Sequence, residues 1–167
     1  MKTLYLIRHA KSSWGDLSLS DFDRPLNERG KRNAPFMGKI IRSKGIKPDL
    51  IVSSPAKRAY STAKKIAKEI GYKTENIKTE SSIYEADVRT LLKVVNELSA
   101  NAKTVMLFGH NPGFTDFANY LSGANISNIP TCGMVCIRFS TSKWEEISRD
   151  TGTFTEFDYP KNYPEGY

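Results

Sequence analysis

Cysteine is scarce in this chain: two residues, Cys132 and Cys136, in 167. Two thiols build neither a disulfide framework nor a four-ligand zinc site. They are expected on one strand, four apart and on one face, as small core residues in a reducing cytoplasm. Long apolar runs are missing too. The longest hold five or six residues, far short of the roughly 20 that span a bilayer. The N-terminus enters a strand at once, which leaves no room for a signal peptide, so the expected location is cytoplasmic. No arginine-rich tract or interleaved aromatic platform marks a nucleic-acid binder. Neither nucleic acid nor membrane is therefore an expected partner. No repeat or linker divides the sequence, and the expectation is one domain over 1–167, a monomer.

Acidic residues are sparse in the first half. Residues 1–73 hold 17 Lys and Arg against 6 Asp and Glu, net +11, whereas residues 74–167 hold 8 against 12, net −4. A basic half can attract an acidic protein or a phosphorylated substrate, although most of these lysines are expected to coat solvent faces of helices.

What is present is ordered around Thr3-Leu4-Tyr5-Leu6-Ile7-Arg8-His9-Ala10. The apolar run suits a strand covered on both faces. Arg8 and His9 cannot continue that core unpaired, so they mark its C-terminal edge, where open α/β sheets bind ligands. A polar segment from Lys11 to Pro25 follows, long for a connection and hence a functional candidate. Asn27 caps a helix running to about Ser43, with a kink or restart expected at Pro35. Asp49–Ser53 reads as a strand. Ser54 as N-cap and Pro55 at the first helical position begin the next helix, which Gly71 stops. A short strand is expected at Asn76–Glu80, a loop at Ser81–Ala86, and a helix capped by Asp87. Thr104–Phe108 is a second buried strand, ending in Gly109-His110-Asn111-Pro112-Gly113, with a helix from Gly113 to Leu121. Gly133–Phe139 and Lys143–Ser148 read as a hairpin. The tail from Thr151 is expected to pack without regular structure. The order predicts an α/β fold of three layers, α/β/α, with a mostly parallel sheet and one antiparallel edge strand.

The chain has only two histidines, His9 and His110, and each follows a buried strand. Two imidazoles at one sheet edge beside an arginine are a catalytic arrangement by type, although a pair of merely satisfied histidines has the same pattern. Arg8 and Arg58 supply two forks for phosphate oxygens. Ser12 and nearby backbone N–H groups could complete the cradle. The arginines hold His9 neutral and nucleophilic. Glu85 is the candidate proton donor, with Asp87 and Asp16 as alternatives.

These residues resemble a known family. Arg8-His9-Ala10, Ser54-Pro55-x-x-Arg58-Ala59, Tyr84-Glu85 and Gly109-His110-Asn111-Pro112 are similar to the histidine phosphatase superfamily, also called phosphoglycerate-mutase-like. The resemblance runs from about Lys2 to Phe139. The segment Arg8–Trp14, with Asp23–Gly30, resembles its small SixA-type phosphohistidine phosphatase branch. Many relatives have glycine where Ala10 stands. The resemblance implies His9 as nucleophile, Arg8, Arg58 and His110 around the phosphoryl group, Asn111 beside the substrate, and no metal or other cofactor. The expected function is metal-independent phosphatase activity through a phosphohistidine on His9, with protein phosphohistidine as the first substrate. A small-molecule phosphomonoesterase and a non-catalytic phosphate-binding module stand as alternatives. The chain is too short for the closed pocket that a mutase needs.

Overall fold

The computed structural model describes residues 1–164. Six strands and four α-helices follow one another as β1 (Lys2–Arg8), α1 (Glu28–Ser43), β2 (Leu50–Ser53), α2 (Lys57–Ile70), β3 (Lys78–Thr79), α3 (Val88–Asn96), β4 (Thr104–Gly109), α4 (Gly113–Ser122), β5 (Met134–Phe139) and β6 (Gly152–Asp158). They form one sheet of order β3-β2-β4-β1-β5-β6. β3, β2, β4 and β1 are parallel, whereas β5 is antiparallel to β1 and to β6. The sheet is thus mostly parallel, but its one reversed strand lies inside the sheet and β6 forms the edge.

Alternation along β1 divides the core. Leu4 and Leu6 face one layer, with Leu91 and Val95 of α3 and Phe114 and Phe117 of α4. Tyr5 and Ile7 face the other, with Met37 and Ile41 of α1 and Ala63 and Ile66 of α2. This is the period of two that a strand buried on both faces requires. The three-layer architecture is the result.

Pro35 lies inside α1 without a restart. Proline in a helix costs about 3 kcal/mol. Burial of Ala34, Met37 and Ile41 against α2 offsets it. α2 begins two residues later than the Ser54-Pro55 signal suggests, with Ala56 as N-cap; Ser54 is engaged elsewhere. The expected strand over Lys143–Ser148 is instead a 3-10 turn at Trp144–Glu146. Its cause is Trp144, which is buried and donates through Nε1 to the Ala102 carbonyl (2.7 Å). The true partner of β5 is β6, in the tail expected to lack regular structure. Its Thr and Phe residues favour a strand, but only Asp158 of its seven residues is buried, so no apolar run signals it. Cys132 and Cys136 are both buried in one core layer, yet only Cys136 is on β5. Cys132 precedes it with φ 61°, off the strand. Among the described residues no helix is long and apolar enough to cross a membrane.

Candidate active site

The central strands end in register. Arg8 pairs with Gly109, and Ser53 with Phe108. The ladder continues one step, with His9 N–H donating to the Gly109 carbonyl (3.0 Å) and Ser54 N–H to that of Phe108 (2.9 Å). Three neighbouring strands therefore deliver His9, His110 and Ser54 side by side at the C-terminal edge. The two imidazole centroids lie 5.3 Å apart.

His9 Nδ1 lies 2.7 Å from the carbonyl of Ala10. A carbonyl only accepts, so Nδ1 carries the proton and Nε2 is the unprotonated nitrogen. Arg58 Nε donates toward that Nε2 from 3.4 Å. Burial, joined by the nearby His110, Arg58 and Arg8, pushes the His9 pKa down to about 3, against the opposing pull of the Ala10 carbonyl. A neutral imidazole with an unprotonated Nε2 has the lone pair that nucleophilic attack requires.

His110 Nε2 lies 2.8 Å from Ser54 Oγ. That hydroxyl accepts from Ala56 N–H (3.2 Å) and keeps one proton and one lone pair, so it can partner either tautomer of His110. Where the hydroxyl donates, Nε2 accepts and Nδ1 bears hydrogen. Nδ1 is buried without a hydrogen-bond partner among the described residues. Burial, with Arg58, lowers the His110 pKa to about 4.

Arg58 is buried, and its terminal nitrogens are engaged. Nη1 donates to the Asp21 carbonyl (2.7 Å) and Nη2 to the Asp21 carboxylate (3.0 Å). Nε faces His9, while one N–H of each terminal nitrogen ties Arg58 to the polar segment and leaves a second N–H on each. Asp21 also accepts from Tyr84 O–H (2.5 Å) and Arg24 Nε (3.1 Å). Those bonds, Tyr84 first, hold its carboxyl down to about 2. The Tyr84 ring stands edge-on to both His110 and Phe22. Arg8 donates through Nη1 to the Ile129 carbonyl (2.9 Å), and its Nε is buried without a partner.

The remaining candidates sit differently. Ser12 Oγ accepts from Arg24 Nη1 (2.6 Å), which ties it to the polar segment. Asn111 donates to Asn128 and to the Ile129 carbonyl and accepts twice from Thr115. It braces the loop after β4. Asp16 bonds its own turn at Ser18, and Asp87 caps α3 at Thr90 N–H. Glu85 caps no helix. It has φ 57° and lines a cavity of about 560 Å³ with His110, Asp87 and Asp116. Gly113 makes that approach possible, since a Cβ there would meet the Ala86 carbonyl oxygen at 2.3 Å.

Sequence reasoning missed three residues. Asp21 is separated from Arg58 by 37 positions, and nothing marks it among the three aspartates of its segment. Tyr84 stands in a quoted motif without a role. Ser54 reads as a cap, whereas its hydroxyl serves His110.

The family model of the histidine phosphatase superfamily (branch 1) matches residues 4–106. The chain belongs to the histidine phosphatase superfamily. As a member it is a histidine-nucleophile phosphatase, a hydrolase. The family match ends before His110, which reaches the site through β4. A chloroplastic protein of Arabidopsis thaliana is 37% identical over 153 residues, 87% of this chain and 70% of that one. Among solved structures, a protein assigned as the phosphohistidine phosphatase SixA of Agrobacterium tumefaciens superposes with a TM-score of 0.81 at 27% identity, over 95% of this chain and 98% of that one. The protein histidine phosphatase SixA complexed with tungstate shares the fold, with a TM-score of 0.78 at 18% identity over 96% and 98% of the two chains.

Proposed function

We propose that this histidine phosphatase removes phosphoryl groups from protein phosphohistidine without a metal, through a covalent intermediate on His9. The observation that carries the reading is the His9 tautomer: Nδ1–H is spent on the Ala10 carbonyl, and Nε2 is left unprotonated in a neutral ring, with only the long contact to Arg58 Nε (3.4 Å) upon it. Nε2 attacks phosphorus, and the bond from phosphorus to the leaving nitrogen breaks with its electron pair. Glu85 or water supplies the proton that the leaving group needs. Water then attacks the phosphoryl group, its proton passes to the waiting base, and the P–N electron pair returns to His9. Arg8, the Nε of Arg58 and Nδ1 of His110 face the charge that develops on the phosphoryl oxygens. Two guanidinium groups supply what a metal would otherwise provide, and among the described residues no three His, Cys, Asp or Glu side chains gather into a metal site. The match to SixA proteins over nearly the whole chain supports the substrate. We take the enzyme to be a cytoplasmic monomer of one domain.

A small-molecule phosphatase is the second reading, favoured by the open cavity beside His110 and Glu85. Turnover in EDTA of a phosphohistidine-bearing protein, beside a panel of phosphate metabolites, decides between them. The protein substrate is expected to be hydrolysed faster, at a rate EDTA does not change. A metabolite preferred over the protein favours the second reading. No turnover of any substrate leaves a phosphate-binding module.

A further inference from the structure

The sheet edge carries more positive charge than the reaction uses. Beside the site, a separate concavity of about 250 Å³ is lined by Arg8, Lys11, Arg29 and Lys161, with Asn128 and Tyr159. Among the described residues no carboxylate lines it. Three remote parts of the chain converge there: the end of β1 with the segment after it, the first turn of α1, and the 3-10 turn Pro160–Asn162. Among the described residues none of these four cations takes part in an ion pair. Four like charges around one small hollow repel one another. Arg29, in addition, stands in the first turn of α1, where the helix dipole disfavours a cation.

Two of the guanidinium groups are left incomplete as well. Arg8 Nε and Arg29 Nε are both buried without a hydrogen-bond partner. A buried donor with no acceptor is costly, and a charged one more so. An oxyanion in the concavity offsets the repulsion among the four cations. Arg8 lines the concavity and ends β1 immediately before His9, which joins the hollow to the sheet edge that carries the two histidines.

We infer that this concavity is a second oxyanion site, which takes a carboxylate or phosphate carried by the substrate in addition to the phosphoryl group that is removed. The inference rests on the phosphatase reading for the identity of the first group. The anion comes either from a small doubly anionic metabolite or from an acidic side chain flanking a phosphohistidine.

The test compares wild type with Arg29→Ala/Lys161→Ala on matched substrate pairs. One pair is 3-phosphoglycerate and glycerol phosphate. The other is a phosphohistidine peptide with glutamate flanks and the same peptide with glutamine flanks. Wild type is expected to favour the doubly anionic member of one pair, which identifies the source. The double variant is expected to raise KM for that member by about tenfold, the size of one charge-assisted hydrogen bond, with kcat held. Its turnover of the neutral member, and of para-nitrophenyl phosphate, should move by less than about twofold on the same scale. No preference in either pair, or equal loss on both members, overturns the site. A titration with inorganic phosphate followed by NMR separates this failure from failure of the phosphatase reading. Shifts at Arg29 and Lys161 that saturate apart from those at His9 support the site even without turnover, and their absence counts against it.

Discussion

Lowering the pH from about 7.5 to about 5 loads protons onto the histidines of the unfolded chain and leaves those of the folded chain neutral. His9 and His110 are each only 8% exposed. Burial, with Arg8 and Arg58 close by, lowers their pKa values from 6.5 to about 3 and about 4. The sign follows directly. A depressed histidine has its full stability above the unfolded value of 6.5, and loses it as the pH falls toward the folded value. At about pH 5 each unfolded imidazole gains roughly 1.5 units of protonation free energy that the folded one does not, or about 2 kcal/mol. The pair should therefore cost about 4 kcal/mol, a large share of the 5–15 kcal/mol of a typical domain. Both folded values lie about a unit or more below that pH, so the figure depends mainly on the unfolded reference. Asp21 does not interfere, since its carboxyl, held down to about 2, loses its contribution only in stronger acid. Urea unfolding of wild type at the two pH values measures the fall. His9→Asn and His110→Asn should each remove about half of it, and the double variant nearly all. A wild-type stability that is flat over this range, or a double variant with the full fall, would refute buried neutral histidines.

Arg58→Lys keeps a charge but loses the Nε that faces His9 and both bonds to Asp21. Vanadate inhibition, which reports on the phosphoryl pocket, should weaken by on the order of tenfold to a hundredfold, and unchanged inhibition would place Arg58 outside it. Glu85→Gln should slow an alkyl phosphate by about a hundredfold and para-nitrophenyl phosphate only slightly, because nitrophenolate leaves without a proton. Equal slowing of the two esters removes Glu85 as donor. Ser54→Ala deprives His110 Nε2 of its hydroxyl partner, so kcat should drop by about tenfold while unfolding free energy drops by about 1 kcal/mol. A variant with wild-type kcat would mean that Ser54 serves only the start of α2.

The site was readable in the sequence where local signals agreed. An apolar run that stops at Arg8-His9, and another that stops at Gly109-His110, fix where two strands end, and the parallel order of an α/β chain brings those ends together. The helix after Ser54-Pro55 then places Arg58 over the same edge. Contacts between remote segments left no such mark. Asp21 gains its meaning only when the polar segment folds back on Arg58 and Tyr84. Ser54 offers the same hydroxyl to a helix cap or to a neighbouring strand's histidine, and periodicity cannot choose. β6 was hidden for a related reason: an edge strand with one poorly covered face lacks the apolar run that reveals β1 and β4, while Trp144 made a buried turn resemble a strand.

The most direct measurement is to trap the covalent intermediate. The enzyme is quenched within the first turnover of a labelled phosphoryl donor, and the position of the label is read by peptide mapping and phosphorus NMR. Because Nδ1 of His9 is tied to the Ala10 carbonyl, the label is expected on His9 Nε2, labile in acid and stable in alkali, and absent from His9→Ala. Label on His9 Nδ1, on His110 or on a serine, or no label during steady turnover, would contradict attack by His9 Nε2.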